Sequence, residues 1–175
     1  FFWCINFLLV SQTFVRTYHF PGMNGGLGLS KCSDGGFVGT GQHENGPAGI
    51  CDIYVYRVSN CGNLLWYKTF GSAFADGGKK VIQASDGGFL VAGLYNESPY
   101  KYALMKLNAA GGIQWLAIYP MGIDAYNVWV EEVPFGIATC GWYYTGSNWE
   151  GLVSFFSNSG VHLWSKKLGG VGQDQ

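Results

Sequence analysis

Charge is what this chain has least of. Only 12% of its residues are charged, and the net charge is −1. No basic stripe can form, which argues against nucleic-acid binding. Sustained helical periodicity is also missing, so the apolar residues do not line up as helix faces. The apolar run at 1–10 is too short to span a bilayer, which takes about 20 residues. Its length suits the core of a secretory signal peptide, although no charged segment or Met precedes it. We therefore expect 1–13 to be a signal-peptide remnant, with no membrane insertion after cleavage.

Metal and catalytic signatures are equally sparse. Cys32, Cys51, Cys61 and Cys140 form no Cys-x-x-Cys pair. They read as free and mostly buried thiols, and Cys51 and Cys61 fall at opposite ends of one strand, too far apart to bridge. His19, His43 and His162 have no ligand spacing to one another or to cysteine. No Ser/His/Asp or Cys/His arrangement stands out. Glu131 and Glu132 are adjacent, so a strand would point them to opposite faces, and a paired-carboxylate glycosidase site is unsupported there. The expectation is a protein without catalytic residues, cofactor or metal.

What the chain does contain is a repeat. Trp66, Trp115 and Trp164 stand 49 residues apart. Each closes the same phrase of strand, glycine turn and strand, and Gly62, Gly111 and Gly160 coincide in it. A period of this size signals a solenoid, propeller or similar array. Earlier in each module, Ser33-Asp34-Gly35-Gly36-Phe37-Val38 matches Ser85-Asp86-Gly87-Gly88-Phe89-Leu90, an Asp-Gly-Gly corner between apolar runs. The third module has Val133-Pro134-Phe135-Gly136 there instead. Each module reads as four short strands, placed in the middle one at 79–84, 88–94, 102–107 and 112–119. Ile53 to Tyr56 and Ala103 to Met105 are apolar on both parities, so both faces of a sheet should be covered. The fold expected is all-β: a partial β-propeller over 14–175, with modules at about 15–66, 67–115 and 116–164 and a further one starting at 165–175. Phe14 takes the place of the periodic Trp, so 14–20 reads as an outermost strand preceding the first module. Three modules cannot close a ring, so further blades of the same chain are expected.

The phrases at 85–93, at Leu104-Met105-Lys106-Leu107-Asn108 with Gly111, at 66–71 and at 164–170 with Asp174 resemble the bacterial seven-bladed β-propeller repeat (SBBP-type) family of exported Bacteroidetes proteins. The resemblance runs over nearly everything from Phe14 onward. It departs in the third module, where Phe155 replaces the basic position of Arg57 and Lys106. It implies a secreted or cell-surface location and a non-enzymatic binding or scaffold role, and it supplies no catalytic set. The phrase from Ala103 to Trp115 is also similar to quinoprotein repeats. The alternative is therefore a propeller enzyme, such as a quinoprotein relative, with its active site in missing blades.

The candidate residues divide by position. The periodic tryptophans read as packing cement. Asp76, Asp124 and Asp174, with Asn24 in the equivalent place, fall in loops joining modules. There they are expected to fix turns through nearby backbone N–H groups, since calcium loops show denser acidic spacing. Arg57 and Lys106 are expected to lay their stems along the sheet with their heads in water. The connections at about 43–51, 95–101 and 144–150 vary most and share one rim. Varied loops on a repeated scaffold carry recognition, so Tyr95, Tyr100, Tyr143, Tyr144 and Trp149 are the candidate contacts for a protein or glycan partner.

Overall fold

The computed structural model describes residues 15, 17–18, 24–44, 48–96, 100–119 and 125–169. Twelve strands run through them: β1 (Asn24–Lys31), β2 (Phe37–Glu44), β3 (Cys51–Val58), β4 (Leu64–Phe70), β5 (Gly77–Gln83), β6 (Phe89–Asn96), β7 (Tyr100–Leu107), β8 (Ile113–Tyr119), β9 (Ala125–Val133), β10 (Gly136–Tyr144), β11 (Trp149–Phe156) and β12 (His162–Leu168). They form three four-stranded antiparallel sheets, β1–β4, β5–β8 and β9–β12, each a meander in chain order. No helix occurs among the described residues. The sheets do not close on one another. In the middle sheet the strands sit within two residues of their expected places. The first begins earlier, at Gly77, because a bulge between Gly78 and Lys80 extends its pairing with β6.

The double-parity apolar pattern is accounted for in the middle sheet. Leu90, Ala92, Tyr102 and Leu104 pack with Val130, Ile137, Leu152 and Phe156 of the third sheet. The alternate residues Phe89, Val91, Met105 and Leu107 pack with Val38, Ile53 and Val55 of the first. Successive side chains of a strand point to opposite faces, so one run of apolar residues serves two cores. The leading strand of each later sheet makes much of this contact, β5 against β1, β2 and β3, and β9 against β5, β6 and β7.

The periodic Trp and the periodic Gly meet between sheets. A Cβ built on Gly111 would lie 3.1 Å from Cε3 of Trp66, and one on Gly160 would lie 2.7 Å from Cε3 of Trp115. The Trp66 indole N–H also donates to the Ala109 carbonyl at 3.2 Å. Each ring thus lies on the β3–β4-type turn of the next sheet. Trp164 has no described sheet beyond it and is 45% exposed. At the other end, the Tyr18 hydroxyl donates to the Gly62 carbonyl, as Tyr119 donates to Gly160. Tyr18 follows Phe14 by the interval at which Tyr119 follows Trp115. The rest of 14–20, apart from residues 15 and 17, and all of 1–13 lie outside the described residues.

The Asp-Gly-Gly corners turn β1 into β2 and β5 into β6, and they hold a clamp the sequence reading did not foresee. Arg57 and Lys106 do not hold their heads in water. Both are buried, and each pairs with the corner carboxylate, Arg57 Nη2 with Asp34 and Lys106 Nζ with Asp86, both at 2.5 Å. The third module lacks both partners together. There Phe155 stacks on Trp164, with centroids 5.5 Å apart. The Gly36 N–H and, after it, Arg57 hold the Asp34 carboxyl below its ordinary value; for Asp86 the larger cause is Lys106, then the Gly88 N–H. A carboxylate with a depressed folded pKa contributes stability above its unfolded pKa and loses it as pH falls through the folded value. Denaturant unfolding should therefore show stability falling as pH drops below about 4. That slope should flatten in the Asp34→Asn/Asp86→Asn double variant. An unchanged acid profile would contradict the clamp.

Candidate functional site

The rim lies at the end of the sheets where β2 leads to β3, β6 to β7 and β10 to β11, and where β4 crosses to β5. The β10–β11 turn is the best defined. The Thr145 N–H donates to the Asn148 carbonyl across it at 2.8 Å, the Thr145 Oγ1 accepts from the Asn148 N–H at 3.0 Å, and Gly146 takes φ 98°. This fixes the register that sets Tyr143 opposite Glu150 and Tyr144 opposite Trp149.

Strand alternation then separates the neighbouring tyrosines. Tyr143 belongs to the core between the second and third sheets and is 7% exposed. Its hydroxyl donates to Glu150 Oε2 at 2.5 Å, and Lys167 Nζ sits 4.3 Å from its ring centroid. The bond to the Glu150 carboxylate is the first cause that pushes the phenol up to about 12. This ring is occupied on several sides and supports the rim from beneath. Tyr144 points the other way and meets Trp149 as a tilted pair with centroids 5.2 Å apart. Both are half-buried, leaving part of each ring open. Tyr95 is half-buried at the end of β6, and Tyr100 pairs through its backbone with Asn96. The Tyr100 side chain, Asp124 and Asp174 lie outside the described residues. Tyr143 therefore turns into the core, and the structure brings Tyr144 and Trp149 together as a pair.

The β4–β5 crossing is tied to the rim. Cys51 and Ala75 form a parallel bridge. Asp76 is fully buried, its Oδ2 accepts from the Ser72 N–H, and its own N–H donates to the Cys51 carbonyl at 2.8 Å. The Asp76 side chain thus binds a backbone donor of its own loop.

The other end of the sheets holds features the sequence reading missed. Ser33 N–H donates to Gln83 Oε1 at 2.8 Å, and Ser85 N–H donates to Glu132 Oε2 at 2.6 Å. Gln83, the last residue of β5, and Glu132, the last but one of β9, each cap the corner of the preceding sheet. Beside these clasps a concavity of about 620 Å³ runs along β1, β5 and β9, with Lys31, Lys80, Gln83, Trp129 and Glu131 in its wall. Lys80 Nζ lies 4.3 Å from the centroid of the half-exposed Trp129. Nothing in the spacing marks Trp129, because it is outside the 49-residue period.

The thiols are free at all four described positions, but the expectation of burial holds only for Cys32. Cys51 is half-buried, while Cys61 sits in a turn and Cys140 on the face of β10 that no described sheet covers, both exposed. Among the described residues no group of three His, Cys, Asp or Glu converges as a metal site. No protein-family model matches the chain, and no curated protein matches it.

Proposed function

We propose that the three sheets are consecutive blades of a β-propeller. In this reading the protein is a non-enzymatic, exported bacterial repeat scaffold that binds a protein or carbohydrate through its loop rim. The observation that carries the reading is that one docking arrangement occurs twice. The leading strand of each later sheet packs on the preceding sheet, and the same Trp-on-Gly contact joins both pairs. The Tyr18–Gly62 bond supports a strand of a preceding blade against the first sheet, because it repeats the Tyr119–Gly160 bond. The uncovered faces of the first and third sheets are where further blades of the same chain would pack. The repeat phrases similar to exported propellers support a secreted or surface location.

Tyr144 and Trp149 are the proposed contact pair, since partly open aromatic rings supply flat apolar area for a sugar face or a protein side chain. On a glycan array, glycans that bind the wild type should lose most of their signal with Trp149→Ala. Undiminished binding by that variant would rule the pair out as the contact. A blank array with retained capture of a surface protein, lost on the same substitution, would select the protein reading.

A further inference from the structure

Asp52 is fully buried at the start of β3. Its Oδ2 accepts from the Ala48 N–H at 3.1 Å, while its Oδ1, also buried, has no hydrogen-bond partner. That bare oxygen points toward Gly71. A Cβ built on Gly71 would meet Asp52 Oδ1 at 2.3 Å and Asp76 Oδ2 at 2.9 Å. The two carboxylate oxygens are therefore no farther apart than the sum of those distances. Two buried carboxylates at this range repel one another, and a buried charge left unpaired is costly.

The repeat itself supplies the comparison. In the second module the position of Asp52 is Lys101 and the position of Asp76 is Asp124. In sequence, those two positions of the second module carry opposite charges. The first module keeps the loop aspartate but replaces the lysine by a second acid. We propose that a calcium ion binds between Asp52 and Asp76 and supplies the positive charge that Lys101 brings to the same repeat position of the next module. Hard oxygen donors of this kind suit calcium, with loop carbonyls and water completing the shell. The ion would staple the β2–β3 connection to the β4–β5 crossing, and it does so whether or not the rim binds a partner.

The test uses the full chain, stripped with EDTA and titrated with calcium chloride. Sites with few ligands bind at about 10⁻⁴–10⁻³ M. At ten to a hundred times Kd the melting temperature should rise by about 3–10 °C. Asp52→Asn should lose the rise. Asp52→Lys, which copies the second module, should melt at the same temperature in EDTA and in calcium. Terbium luminescence on the wild type, quenched by added calcium, reads the site directly should either variant fail to fold. The proposal is overturned by a wild type that responds to calcium in neither assay, or by Asp52→Asn responding as fully as the wild type. A wild type stabilised by mild acid and indifferent to calcium would also overturn it, since the two carboxylates would then share a proton.

Discussion

In a chain of residues 1–175 alone, replacing Trp115 by alanine should destabilise the fold by about 3 kcal/mol, while the same change at Trp164, which there has no following sheet, should cost less than about 0.5 kcal/mol. The two residues hold the same place in the repeat, so propensity and turn chemistry are matched. They differ in what lies beyond them. Trp115 packs against the core between the second and third sheets and covers Gly160. Trp164 has Phe155 and Lys166 on its own sheet and remains 45% exposed. Truncating a buried aromatic removes its transfer free energy and leaves a cavity, with about 3–5 kcal/mol typical for full burial. Trp115 is only part-buried, which sets the lower end. In equilibrium urea unfolding the Trp115 variant should show a clearly lower midpoint, about 6–12 °C lower when read as melting temperature. Equal losses at Trp115 and Trp164 would mean that contact across sheets is not what the periodic Trp provides.

A second large effect is expected at Gly88. Its neighbour Gly87 has φ 81°, and a Cβ there would meet nothing within 4 Å. The cost of Gly87→Ala is then the left-handed backbone alone, about 1–2 kcal/mol. At Gly88 a Cβ would lie 2.3 Å from the Leu107 carbonyl oxygen and 2.6 Å from Lys106 Nζ. Backbone and clamp must both give way, so Gly88→Ala should cost about 3 kcal/mol and separate Lys106 from Asp86. Gly36 repeats the arrangement, with Val58 O at 2.3 Å and Arg57 Nη1 at 2.4 Å. Urea midpoints for the four alanine variants at 35, 36, 87 and 88 should fall into two pairs. A Gly88→Ala protein as stable as Gly87→Ala would show that the corner can open without loss.

Part of this was legible in one dimension. Asp-Gly-Gly corners, glycine turns and apolar runs on both parities mark strands and the burial of both faces, and the described strands follow them closely. The exchange of Arg57 and Lys106 for Phe155 was visible in the alignment, yet its meaning was not. The partner of Arg57, Asp34, lies 23 residues away in the chain, and only the folded hairpin brings them together. The clasps from Gln83 and Glu132 were missed for the same reason, since each joins two sheets. At the rim, the list of aromatics was readable, whereas the separation of Tyr143 from Tyr144 depended on the register of one strand pair.

The sequence alone determined the period, the four-strand module and the need to cover both sheet faces, because strand alternation and turn chemistry act over a few residues at a time. The tertiary structure decided which faces meet, which basic side chain finds which carboxylate, and that Asp52 and Asp76 converge on Gly71. Those outcomes depend on distances between sheets, and such distances are set by packing, which no single module contains.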